Sequence, residues 1–116
     1  LTEVSLQLLG ALCESLEQPA DALSETISNG PYRHTKLIKY PGSPEASGQG
    51  VGAHKDPGYL TLVLQDENSG LEVEYKRQWY KVAPRPGAFV GNIGIVLAAL
   101  KLGLLVIRRH FSWPLS

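Results

Sequence analysis

Three histidines stand in this chain of 116 residues, His34, His54 and His110. One of them precedes a carboxylate by two positions, in Gly52-Ala53-His54-Lys55-Asp56. Side chains of extended backbone alternate between two faces, so residues two apart share one. An imidazole and a carboxylate placed this way can converge on a single cation. The same pair also suits a plainer reading, a strand entrance followed by an Asp that caps the turn at Pro57-Gly58. A third ligand from a distant strand would complete a set of two histidines and one carboxylate, which on Fe(II) leaves coordination positions open for other molecules. His110, in a strand predicted over residues 104–110, is the stronger candidate for that place. His34 competes with it and otherwise reads as a polar surface residue.

Other chemistries find less support. The single cysteine, Cys13, sits in a helical apolar stretch and reads as a small buried hydrophobe; one thiol offers no disulfide framework and fits a cytoplasmic chain. No Ser or Cys has a recognisable His and acid arrangement for nucleophilic hydrolysis. Gly48-x-Gly50-x-Gly52 precedes no helix N-terminus, so it is a flexible loop and not a phosphate cradle. Trp79 and Tyr80 read as strand packing and surface. The net charge of zero sums an acidic start, with five acids and no base in residues 1–30, and a basic end, with seven bases and no acid from Lys76 onward. Those bases lack the aromatic or glycine signatures of an RNA-binding module, so no nucleic-acid partner is expected. The apolar run from Ile95 to Ile107 contains Lys101 and is too short to span a bilayer, so no membrane partner is expected either.

The elements that must carry these residues divide at Pro31. Leu1, Val4, Leu8, Leu12 and Leu16 recur at helical steps and predict an amphipathic helix over residues 2–17. Gln18-Pro19 stops it, and a second short helix is expected over 20–28. Residues 1–30 thus form a helical lead-in. Beyond it, ten of the twelve glycines lie past residue 40. Short β-branched and aromatic runs predict strands at 34–40, 59–65, 71–75, 78–83 and 88–93. Residues 41–53 are expected to be a loop, Lys76-Arg77 a hairpin tip and residues 84–87 a turn. Strands at this spacing imply a mainly β sandwich or jelly-roll barrel.

The residues carry a resemblance as well. Tyr40-Pro41, the His54-Lys55-Asp56 motif, Leu60-Thr61-Leu62-Val63-Leu64-Gln65-Asp66, Gly70-Leu71-Glu72-Val73, Trp79, and Pro86-Gly87-Ala88-Phe89-Val90 with Asn92-Ile93-Gly94 together resemble the isopenicillin N synthase-like branch of the Fe(II)/2-oxoglutarate-dependent dioxygenases. The resemblance implies a double-stranded β-helix (jelly-roll) core over residues 31–116. It implies His54, Asp56 and His110 as iron ligands and Tyr40 as a contact of the 2-oxoglutarate cosubstrate. It further implies dioxygen and a small-molecule substrate as reaction partners, with succinate and carbon dioxide released.

The chain also departs from the family pattern. Ile38 stands where the family often has asparagine, Ile95 where an acidic residue follows Asn-Ile-Gly, and Phe111-Ser112 where Arg-Val follows the distal histidine. The Arg-x-Ser motif that pairs with the far carboxylate of 2-oxoglutarate is absent from the six residues after His110. The expectation is a jelly-roll core incomplete at the C-terminus, the middle of a longer protein. The alternative is a non-catalytic metal-binding jelly-roll fragment without a 2-oxoglutarate pocket.

Overall fold

The computed structural model describes residues 1–40, 49–98 and 106–110. They fall into two units, Leu1–Ile38 and Lys39–Ser116, so residues 31–38 group with the helical lead-in. Among the described residues no helix is long and apolar enough to cross a membrane.

In the first unit the helix α1 runs Thr2–Ser15, two residues shorter than the periodicity predicts. Its end is a Schellman closure: the N–H of Gln18 donates to Cys13 O and that of Glu17 to Glu14 O, with Glu17 in the left-handed region at φ 59°. Pro19 follows, where a helix cannot continue. Leu9 and Cys13 are the buried side chains of α1, while Val4 and Leu8 of the predicted stripe are exposed. The returning chain passes α1 at Gly10, where an added Cβ would meet Ala20 at 3.4–3.6 Å. The second predicted helix is instead a set of turns with a 3-10 helix at Ser24–Ile27. Thr26 and Ser28 donate their hydroxyls to the carbonyls of Leu23 and Glu25. Such local bonds compete with α-helical ones, and a segment this short cannot nucleate a stable α-helix.

Among the described residues the second unit contains two antiparallel sheets. Strands β1 (Gln49–His54), β2 (Leu60–Leu64), β3 (Leu71–Tyr75), β4 (Gln78–Lys81), β5 (Phe89–Ile93) and β6 (Val106–His110) are joined by one short helix, α2 (Ile95–Ala98). One sheet has the order β1-β6-β3-β4 and the other pairs β2 with β5. The β2–β5 register is unbroken from Leu60↔Ile93 to Leu64↔Phe89. The β3–β4 hairpin turns at Lys76-Arg77, both with positive φ (49° and 66°), the backbone of a type I′ turn, which Asn-Gly adopts at lower cost. Among the described residues of this unit, Leu71, Asn92 and Leu97 are the most deeply buried side chains.

Two expectations fail here. Residues 34–40 form no strand; Leu37 and Ile38 are exposed, and without a neighbour to pair with, strand-favouring residues do not make a strand. Conversely, the glycine-rich run expected to be loop through residue 53 is β1 from Gln49 onward, because β6 supplies it with a partner. The rest of that predicted loop, residues 41–48, lies outside the described residues.

Candidate metal centre

His54 is the last residue of β1, and Asp56 stands on the irregular backbone just after it. The two side chains meet: His54 Nε2 lies 3.2 Å from Asp56 Oδ1. The other ring nitrogen, Nδ1, is 2.9 Å from the carbonyl oxygen of Gly52. A carbonyl only accepts, so the ring proton belongs on Nδ1. In the neutral ring Nε2 then turns a lone pair toward a carboxylate oxygen. Two electron-rich atoms held at this separation attract a cation, and the Nδ1–H to backbone carbonyl bond is the arrangement that orients a metal-binding imidazole.

The carboxylate adds a second sign. The Asp56 side chain is 12% exposed against 45% for His54, and its Oδ2 is buried with no hydrogen-bond partner. A buried unpaired carboxylate oxygen is costly unless something positive completes it. The donor set therefore fits a divalent cation, one imidazole nitrogen and one carboxylate opening on one side.

Local backbone holds Asp56 in this place. Pro57 and Gly58 turn the chain, with Gly58 at φ 81°. The start of α2 then closes on the turn: Gly94, Ile95 and Val96 donate their N–H groups to the carbonyls of Tyr59, Asp56 and Gly58 at 2.8, 2.9 and 3.1 Å. Residues 94–96 carry no polar side chain that would point to this contact in the sequence. Two glycines, Gly58 and Gly94, in segments that meet were the available signal, since glycine marks places where backbones approach closely.

The remaining candidates are placed as follows. His110 ends β6, and the register sets His54 opposite Ile107, Val51 opposite Arg109 and Gln49 opposite His110, with an irregular step between each. His110 thus stands beside the start of β1, three residues past the partner of His54, roughly 10 Å along the strand at ~3.3 Å per residue. Tyr40 is half-buried on irregular backbone near the start of the second unit. His34 is exposed in the first unit, its ring edge-on to Tyr32 at 6.4 Å between centroids. Among the described residues no three His, Cys, Asp or Glu side chains converge on one point; the structure brings together His54 and Asp56.

Comparison with known proteins gives the chain a family and a fold. The family model of the 2OG-Fe(II) oxygenase superfamily matches residues 28–111. The chain is 37% identical over 109 residues to the 2'-deoxymugineic-acid 2'-dioxygenase of Hordeum vulgare, covering 93% of this chain and 32% of that protein. A crystal structure from Caulobacter crescentus assigned to the 2OG-Fe(II) oxygenase family superposes with a TM-score of 0.75 at 28% identity, over 97% of this chain and 37% of the other. A Neurospora crassa structure in complex with alpha-KG shares the fold at a TM-score of 0.67 and 19% identity, over 93% of this chain and 36% of that one. The two antiparallel sheets are thus part of a jelly-roll core. The chain spans about a third of the length of the curated relatives it matches.

Proposed function

The chain belongs to the 2OG-Fe(II) oxygenase superfamily, and on that membership we propose that the whole protein is an Fe(II)- and 2-oxoglutarate-dependent dioxygenase of a small organic molecule, with His54 and Asp56 as two of its iron ligands. The observation that carries this reading is the buried, unpartnered Oδ2 of Asp56 beside an imidazole whose free nitrogen faces the same carboxylate. When bound, Fe(II) with 2-oxoglutarate supplies the activation of dioxygen, one oxygen atom going to the substrate and the other to succinate as carbon dioxide leaves.

The residues divide the work by their chemistry. His54 offers Nε2 while the Gly52 carbonyl fixes its ring. Asp56 offers a carboxylate and offsets part of the cation's charge. His110 is the imidazole proposed for the third position. Tyr40 is proposed as a cosubstrate contact through its phenolic hydroxyl. A small-molecule substrate is supported by the barley relative, whose name gives 2'-deoxymugineic acid. The free, buried Cys13 supports a cytoplasmic setting.

Anaerobic titration with Fe(II) and then 2-oxoglutarate tests the proposal. A weak visible charge-transfer band is expected, followed by succinate once oxygen is admitted. Iron binding with neither signal would overturn the dioxygenase reading in favour of a non-catalytic metal-binding fragment.

A further inference from the structure

We propose that Gly94 is a positioning residue for the Asp56 ligand, its missing side chain allowing the start of α2 to clasp the Asp56–Tyr59 turn by backbone alone. The inference rests on the metal reading above and concerns how the carboxylate is aimed. Lys55, Asp56 and Pro57 lie outside the strands, so no sheet ladder holds the backbone that carries the carboxylate. What holds it is the end of β5 as it enters α2. The first N–H groups of any helix have no partner inside it. Here those of Gly94, Ile95 and Val96 all reach the turn, and the bond from Ile95 goes to the carbonyl of Asp56 itself, at 2.9 Å. Each side satisfies what the other leaves open.

This reciprocity needs close approach. A Cβ built on Gly94 would collide with the carbonyl oxygen of Gly58, and would stand 2.8 Å from the Gly58 carbonyl carbon and 3.0 Å from the Pro57 oxygen. All three are backbone atoms, so no side chain can swing aside. Any residue but glycine pushes the turn away by a displacement on the order of 1 Å, and misplacements of that size remove large factors from a site that depends on geometry. Gly94 is buried, which leaves the added carbon no route to solvent.

Two variants separate positioning from mere stability. Gly94→Ala introduces the collision. Ile95→Pro removes the N–H that bonds Asp56 and sets the proline Cδ against that carbonyl in its place; Ile95 is the first residue of α2, where the proline φ itself is tolerated, and it is 44% exposed. Leu9→Ala serves as a destabilised comparison, since Leu9 is 7% exposed on α1 in the first unit and takes no part in the clasp. Co(II) is titrated into the full chain and followed by its visible absorption, with urea unfolding in chelator run alongside. The expected result is a roughly 10- to 100-fold loss of Co(II) affinity in Gly94→Ala and about tenfold in Ile95→Pro, with an altered band shape and retained circular dichroism. Leu9→Ala should lower the urea midpoint and keep the wild-type affinity. Wild-type affinity and band shape in folded Gly94→Ala or in Ile95→Pro would overturn the proposal. Should Gly94→Ala fail to fold, Ile95→Pro decides. A wild-type chain that binds no Co(II) overturns the metal reading, and this inference with it, an outcome distinct from tight binding in all variants.

Discussion

Replacing Asp56 by alanine should make the metal-free protein slightly more stable while abolishing its stabilisation by metal. In the metal-free state the carboxylate is nearly buried, with Oδ2 unpartnered and Oδ1 3.2 Å from His54. An unsatisfied buried acceptor costs about 1–3 kcal/mol. The contact with His54, on a ring that is 45% exposed, offsets this only where the ring is protonated on both nitrogens, and then by about 0.2–1 kcal/mol. The difference favours Asp56→Ala by about 1 kcal/mol, a rise in Tm of roughly 4 °C for a chain of this size. Metal reverses the order. At a free Mn(II) or Co(II) concentration a hundred times the dissociation constant, the wild type gains about 2.7 kcal/mol, and the variant, lacking the carboxylate, gains almost none. Urea unfolding of both proteins with chelator and with metal measures all four values. If Asp56→Ala proves more than about 1 kcal/mol less stable than wild type in chelator, the carboxylate is a structural group. The argument from its orphaned oxygen then fails.

Two further outcomes follow from the same geometry. His54→Ala should remove most Fe(II) affinity and His110→Ala a large part of it, whereas His34→Ala should leave it intact; isothermal titration with Fe(II) under anaerobic conditions reads all three, and an unchanged His54→Ala would sink the ligand assignment. Arg77→Gly, at φ 66° in the β3–β4 hairpin, should raise stability by about 1 kcal/mol, because a non-glycine residue in the left-handed region costs roughly 1–2 kcal/mol; a lower urea midpoint would refute the type I′ geometry.

What could be read along the chain was what neighbouring residues decide among themselves. Strands β2 to β5 fall within the predicted runs because each is a short apolar or alternating segment bounded by its own turn residues. Lys76-Arg77 was legible as a hairpin tip because two strand patterns stop on either side of it. The His54 and Asp56 pair was legible because two-residue spacing is a local property. Residues 34–40 misled for the complementary reason: Leu37 and Ile38 have the composition of a strand, yet pairing is supplied from elsewhere or not at all. Gln49–His54 misled in the opposite sense, since Gly50 and Gly52 argue for a loop until β6, more than fifty residues later, pairs with them. On α1 the helix was visible but its buried face was not, because Leu9 and Cys13 are buried while Val4 and Leu8 of the same apolar pattern are exposed, and periodicity does not say which part of an apolar stripe is covered.

By itself, then, the sequence determined the donor types of the candidate metal centre, their spacing, and the predicted runs of strands β2 to β5. Only the tertiary structure decided that Asp56 Oδ2 would be buried without a partner, that Gly52 would set the proton of His54, and that residues 94–96 would hold the turn carrying the carboxylate. The physical reason is the same in each case. Residue type and spacing are properties of the chain, whereas burial, hydrogen-bond partnership and close approach depend on which backbone arrives alongside, and Gly94 reaches Gly58 only after β2 to β5 have brought the two together.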